Sequence, residues 1–136
     1  LDFPFGEDFK YDEMVVTSPG DLGKQAAEMV AKANPFGGDD APKPGEGPTK
    51  EQRENGFYDI LFLGETEDGE AATLCVKGDK DPGYGSTSKM IAESALCLAQ
   101  DKIAKGGGVW TPGALMGKQL VKRLEAKAGL SFVVES

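Results

Sequence analysis

The densest chemistry in the sequence lies at residues 81–90, Asp-Pro-Gly-Tyr-Gly-Ser-Thr-Ser-Lys-Met. Gly83 and Gly85 let backbone amides approach a bound group, Tyr84, Ser86, Thr87 and Ser88 bring hydroxyls, and Lys89 brings a cation. The segment opens an expected helix, and a helix N-terminus favours an anion, so a carboxylate or phosphate fits its chemistry. Its spacing is neither GxGxxG nor GxxxxGK[ST], which excludes a Rossmann fingerprint and a P-loop on pattern. An ordinary capped helix start with a tight glycine turn accounts for the same residues. A second candidate is Gly106–Pro112, GGGVWTP. Trp110, the single tryptophan, either lines a pocket beside the glycine run or sits in the core bonded through its indole, while Thr111 reads as a helix cap. Asp39-Asp40 and the acids Glu65, Glu67 and Asp68 fall in loop or turn text and read as solvated surface.

Other chemistry is excluded by what the 136 residues lack. With no histidine, Ser-His-Asp and Cys-His nucleophile systems and His-ligated zinc cannot be assembled. No metal site is expected. Cys75 and Cys97 have no CxxC spacing and sit in apolar text, as buried reduced thiols do, which fits a cytoplasmic protein. The formal net charge of −8 argues against non-specific nucleic-acid binding. Basic excess is confined to residues 101–136, where Lys118, Lys122, Arg123 and Lys127 line the outside of one expected helix. No apolar run reaches the length of a membrane span, and Leu1–Lys10 does not resemble a secretory leader. The opening LDFPFGEDFKYDE, without an initial Met, reads as text from the middle of a longer protein.

The elements that must carry these groups follow from pattern. FKYDEMVVT, 9–17, has strand character. Ser18-Pro19-Gly20-Asp21 predicts a helix start with Ser18 as cap and Pro19 at the first helical position, and Leu22, Ala26, Met29, Val30 and Ala33 give the helix an apolar stripe ended by Asn34-Pro35. Residues 35–48, with four prolines and four glycines, read as a flexible loop. Thr49 and Gln52 suggest a capping box for a short turn ending at Gly56. The runs 57–63 and 71–77, joined through Asp68-Gly69, predict an antiparallel hairpin. Because Tyr58, Ile60 and Phe62 mark one face of its first strand and Leu61 and Leu63 the other, that strand is expected in the middle of a sheet or on an oligomer surface. Residues 86–103 predict a largely apolar helix capped by Ser86 or Thr87 and lying centrally against the sheet. A last helix opens at Thr111-Pro112 with Leu115, Met116, Leu120, Val121, Leu124 and Ala128 inward, closes at Gly129, and leads into the strand LSFVVE. The order β-α-β-β-α-α-β predicts one α+β domain over 1–136, with a mixed or mainly antiparallel sheet and helices packed on it.

Three blocks, PGEGPTKEQRENGFYDILFLGET, DPGYGSTSKMIAESALCLAQD and GGVWTPGALMGKQLVKRLEAKAGLSFVVE, resemble in sequence and order the carboxyl-terminal part of saccharopine dehydrogenase-like oxidoreductases, over about Pro44–Glu135. The resemblance implies a substrate-binding and dimerisation domain that is not catalytic alone. It also implies an upstream Rossmann domain that binds NAD(P), a homodimer through the sheet, and no cofactor within this chain. Members of that family range from saccharopine to enoyl reduction on lipid-like substrates. On the same resemblance Gly83, Tyr84, Gly85, Ser86, Thr87 and Lys89 face a substrate cleft, with Trp110 and Thr111 nearby. A stand-alone α+β binding module for a small anion or a protein partner is the alternative.

Overall fold

A computed structural model describes residues 8–33, 43, 45–104 and 106–135. The chain divides into two compact units, Leu1–Lys43 and Pro44–Ser136.

In the first unit, helix α1 spans Asp21–Lys32. Its start is not the expected one: Gly20, at φ 83°, holds the cap position without a side-chain hydrogen bond, so Ser18 and Pro19 lie outside the helix. Glycine adopts that left-handed φ without steric penalty, and the helix begins only after it. Asp21 then falls in the first turn, where a negative charge complements the helix dipole. The stripe residues Leu22, Met29 and Val30 are exposed. No strand forms at 9–17: propensity alone does not make one without a partner to pair with, and Tyr11, Met14, Val15 and Val16 remain exposed. The expected stop at Asn34-Pro35, and most of the loop 35–48, lie outside the described residues.

The second unit has the expected α+β character. Helix α2, Lys50–Asn55, is set by a complete capping box in which the Gln52 amide donates to Thr49 Oγ1 (3.2 Å) and the Thr49 amide to Gln52 Oε1 (2.8 Å). Strands β1, Tyr58–Glu65, and β2, Ala71–Gly78, form the hairpin in the register Tyr58↔Gly78 to Glu65↔Ala71. Gly69 takes the left-handed turn position at φ 85°. Strand β3, Leu130–Glu135, pairs antiparallel with β2 from Gly78↔Leu130 to Thr73↔Glu135. The sheet is therefore wholly antiparallel, in the order β1-β2-β3. Of the two expectations for the first strand, the middle position is not the one found: among the described residues β1 is an edge and β2 is the middle strand.

Helix α3, Gly85–Gln100, and helix α4, Pro112–Arg123, pack on each other. A π-helical turn, Leu124–Ala128, prolongs α4 to Gly129, which closes it in the left-handed conformation at φ 72°. Thr111 caps α4 through the Ala114 amide, as its Thr-Pro start predicts. The core is Cys97, Met116, Leu120, Leu124, Ala128 and Leu130, with Met90, Ile103, Leu115 and Phe132 packed against it. So α3 does not lie centrally on the sheet. It buries Cys97 against α4 and the π-helical turn, and leaves Ile91 and Leu98 in solvent. Only the Leu130–Phe132 end of the sheet reaches this core.

Candidate functional site

The residues of 81–90 converge on a group that the motif reading passed over, the Asp81 carboxylate. Its Oδ1 accepts from the Gly83 amide at 3.1 Å and the Tyr84 amide at 3.0 Å, and its Oδ2 accepts from the Gly85 amide at 2.5 Å. The Asp81 carbonyl takes the Ser86 amide at 2.8 Å, and the Asp81 amide donates to the Arg53 carbonyl at 3.3 Å. Burial works to raise this carboxyl, but the three amides and nearby Arg53 outweigh it and hold it below the ordinary carboxylate range. The start of α3 is thus capped from four residues upstream, and neither Ser86 nor Thr87 is the cap.

The remaining candidates are engaged within the fold. The fully buried Ser86 shares a 2.9 Å hydrogen bond with the Tyr58 hydroxyl on β1, joining α3 to the sheet. Thr87 donates to the Pro82 carbonyl at 2.6 Å and Ser88 to the Gly85 carbonyl at 3.1 Å. Lys89 lies 3.9 Å from Asp79, whose amide donates to the Gly129 carbonyl at 3.2 Å. Tyr84 is exposed, and its ring covers Gly47 so closely that a Cβ there would meet it at 3.3 Å. Gly85 is required by its surroundings, because a Cβ would meet the Arg53 carbonyl at 2.6 Å. Helix α2 and the turn before α3 are therefore one interlocked piece.

Trp110 and Thr111 stand just before α4. Gln119 of α4 donates to the Lys102 carbonyl at 2.8 Å, Arg123 reaches Glu93, and Gly129 meets Asp79, so α4 and its π-helical turn run antiparallel to α3. Thr111 opens α4, whose helical geometry is interrupted at Gly117 (φ 46°, ψ −125°), so the antiparallel run against α3 belongs to the part of α4 after that break.

The charged cluster of the unit lies between the helices. Arg123, expected on the outer face, points inward. Its Nε and Nη2 donate to both oxygens of Asp101 at 2.7 and 2.8 Å, its Nη1 to Glu93 at 3.1 Å, and Nη2 also to Gln100 at 3.2 Å. The guanidinium holds the Asp101 carboxyl down at about 2. Burial first, then the Asp101 hydrogen bond, pushes the Cys97 thiol up. The signal available in the sequence was position: Arg123 adjoins Leu124 and follows Leu120 by three, on the rim of the inward stripe. A second cluster sits on the sheet face away from the helices, where Asp59 accepts from the Cys75 thiol at 2.9 Å and lies 2.8 Å from Lys77 Nζ. Both partners hold the Asp59 carboxyl low, the thiol bond most, and the same bond pushes the Cys75 thiol up. Both cysteines are free and buried, and neither is a ready nucleophile.

Two open surface hollows have linings that include none of the expected site residues. One of about 560 Å³ is lined by Thr49, Glu51, Gln52, Asn55 and Gly56. The other, about 380 Å³, lies over Asp101, Gln119, Arg123 and Lys127. Among the described residues no His, Cys, Asp or Glu group is placed to hold a metal ion, no buried side-chain nitrogen or oxygen lacks a hydrogen-bond partner, and no helix is long and apolar enough to cross a membrane.

Comparison with known proteins adds what the geometry does not. The chain is 44% identical over 93 residues to a Mycobacterium tuberculosis protein named as a trans-acting enoyl reductase; the match takes in 67% of this chain and 22% of that protein. Trans-acting enoyl reductases of Mycobacterium ulcerans and Mycobacterium bovis match at 39% and 38% identity over 85 residues, 61% of this chain and 20% of theirs. The chain thus spans about a fifth of the length of the curated relatives it matches. No protein-family profile matches it, and no solved structure does. These names correct the resemblance drawn from the three blocks. The relatives are enoyl reductases, not saccharopine dehydrogenases, and the reading as the carboxyl-terminal substrate-binding and dimerisation domain of such a dehydrogenase falls with it. The blocks mislead for a physical reason: a capped turn, a glycine-started helix and a closing strand specify local structure, and they carry no reacting group that tells one reductase from another.

Proposed function

We propose that this chain is a portion of an enoyl reductase that acts in trans, one that reduces a carbon–carbon double bond conjugated to a carbonyl on a substrate carried by another protein. The observation that carries the reading is the 44% identity over 93 residues to a relative of that name. Reduction of this kind needs a hydride, and the donor on this reading is NAD(P), bound by a dinucleotide-binding part of the same reductase outside this chain. This chain's role is to present its sheet as a docking surface. Ile60, Phe62 and Val134 on one face and Leu61, Leu63 and Val133 on the other are all exposed, and among the described residues β1 is an edge strand. That extent of uncovered apolar surface is the mark of an interaction site, and the occupants are the dinucleotide-binding part and, through the sheet, a second copy. Two free buried thiols suit the cytoplasm as the compartment.

The test uses a full-length protein that contains this chain, with NADPH and an α,β-unsaturated acyl thioester on a separate carrier protein. Mass spectrometry of the acyl group should show the gain of two hydrogens. A folded protein that binds NADPH and leaves the double bond intact would overturn the reading.

A further inference from the structure

An enoyl reductase implies a dinucleotide, and the glycine-rich start of α3 is the place in this chain whose composition invites its phosphates. The residues there do not fit that group. Three consecutive amides, those of Gly83, Tyr84 and Gly85, point at one carboxylate at 2.5–3.1 Å, which is the arrangement a helix-start anion site offers to a phosphate oxygen. We infer that Asp81 is the resident anion of this turn, and that its carboxylate closes the amide nest to phosphate, and so to a dinucleotide pyrophosphate.

Charge and space both support this. A phosphate arriving beside an ionised carboxylate meets like-charge repulsion and finds its donors already used. The backbone of Asp81 is fixed, its amide bonded to the Arg53 carbonyl and its carbonyl to the Ser86 amide, and its carboxylate is held in place by the three amides themselves. A Cβ on Gly56 would meet the Asp81 backbone at 2.6 Å, so α2 holds this residue from the other side. The nearest cations are spoken for as well. Lys80 donates to the Glu54 carbonyl at 3.0 Å, Arg53 to the Pro48 carbonyl at 2.5 Å, and Lys89 faces Asp79. The nest is a structural joint between α2, the turn and α3. This holds whether or not the whole protein proves to be an enoyl reductase.

Backbone-amide NMR of the 136-residue chain, titrated with inorganic phosphate and then with NADPH, tests it. The resonances of Gly83, Tyr84 and Gly85 should show no saturable shift with either probe, and a saturable shift would overturn the inference. In Asp81→Ala the same three amides lose their acceptor, and added phosphate should then shift them saturably. A folded Asp81→Ala chain that ignores phosphate would show that something other than the carboxylate keeps the anion out, and would overturn it too. If the variant does not fold, the wild-type titration still decides.

Discussion

The helical pair and the sheet of the second unit are built from similarly apolar text and end in opposite states. Between α3 and α4 the side chains of Cys97, Met116, Leu120, Leu124 and Ala128 are buried, and the one arginine at their rim is held by two carboxylates. On the sheet, Leu63 is 76% exposed and Val134 73%, and among the described residues neither edge strand, β1 or β3, has a second partner. The helices satisfy one another within this chain, whereas the sheet satisfies only its Leu130–Phe132 end. Stability should therefore reside in the helical pair, and the binding surface on the sheet.

Truncating the core sharpens the contrast most. Leu120→Ala should cost about 2–5 kcal/mol of unfolding free energy in denaturant titration, the range for a large aliphatic side chain removed from a packed core. Arg123→Met comes next. It leaves Asp101 and Glu93 facing each other without their cation, so the loss should fall below that of Leu120→Ala and change with pH. The folded Asp101 carboxyl is lowered from 3.8 to about 2, so the unfolded chain binds more protons in that interval. The contribution is complete above the ordinary carboxylate value and is lost as the pH falls through about 2. Arg123→Met should abolish this acid-side slope, and an unchanged acid unfolding profile would mean the pair is not formed in solution. Leu63→Ser on the bare sheet should stay within about 0.5 kcal/mol of the parent, since the side chain is already in water.

The same contrast explains what the sequence disclosed. Several elements whose signals are local were legible: the Asp68-Gly69 hairpin, the Thr49–Gln52 capping box, the Thr111-Pro112 start and the Gly129 stop all form where their residues say, whereas the Ser18-Pro19 start and the Ser86 or Thr87 cap, equally local, do not. Each of those that form is fixed within a few residues. What depended on long-range pairing was misplaced. Among the described residues FKYDEMVVT has strand propensity but no partner strand, and β1 has two apolar faces yet lies at an edge, because alternation reports a side chain's preference and not which neighbours arrive. The candidate site shows the same limit. Glycines and hydroxyls at 83–88 were visible, but that Asp81 fills their amides follows from the folded geometry. Arg123 was assigned outward for the same reason: its partners, Glu93 and Asp101, lie 30 and 22 residues away.

Hydrogen exchange at β1 tests most directly the claim that this sheet is completed from outside the chain while the helical pair is complete in itself. The exchange of 58–65 and of the α3–α4 pair should be compared in this chain alone and in a full-length protein containing it. The account predicts that β1 amides become strongly protected in the longer protein while those of α3 and α4 change little. Equal exchange of β1 in the two proteins would contradict it.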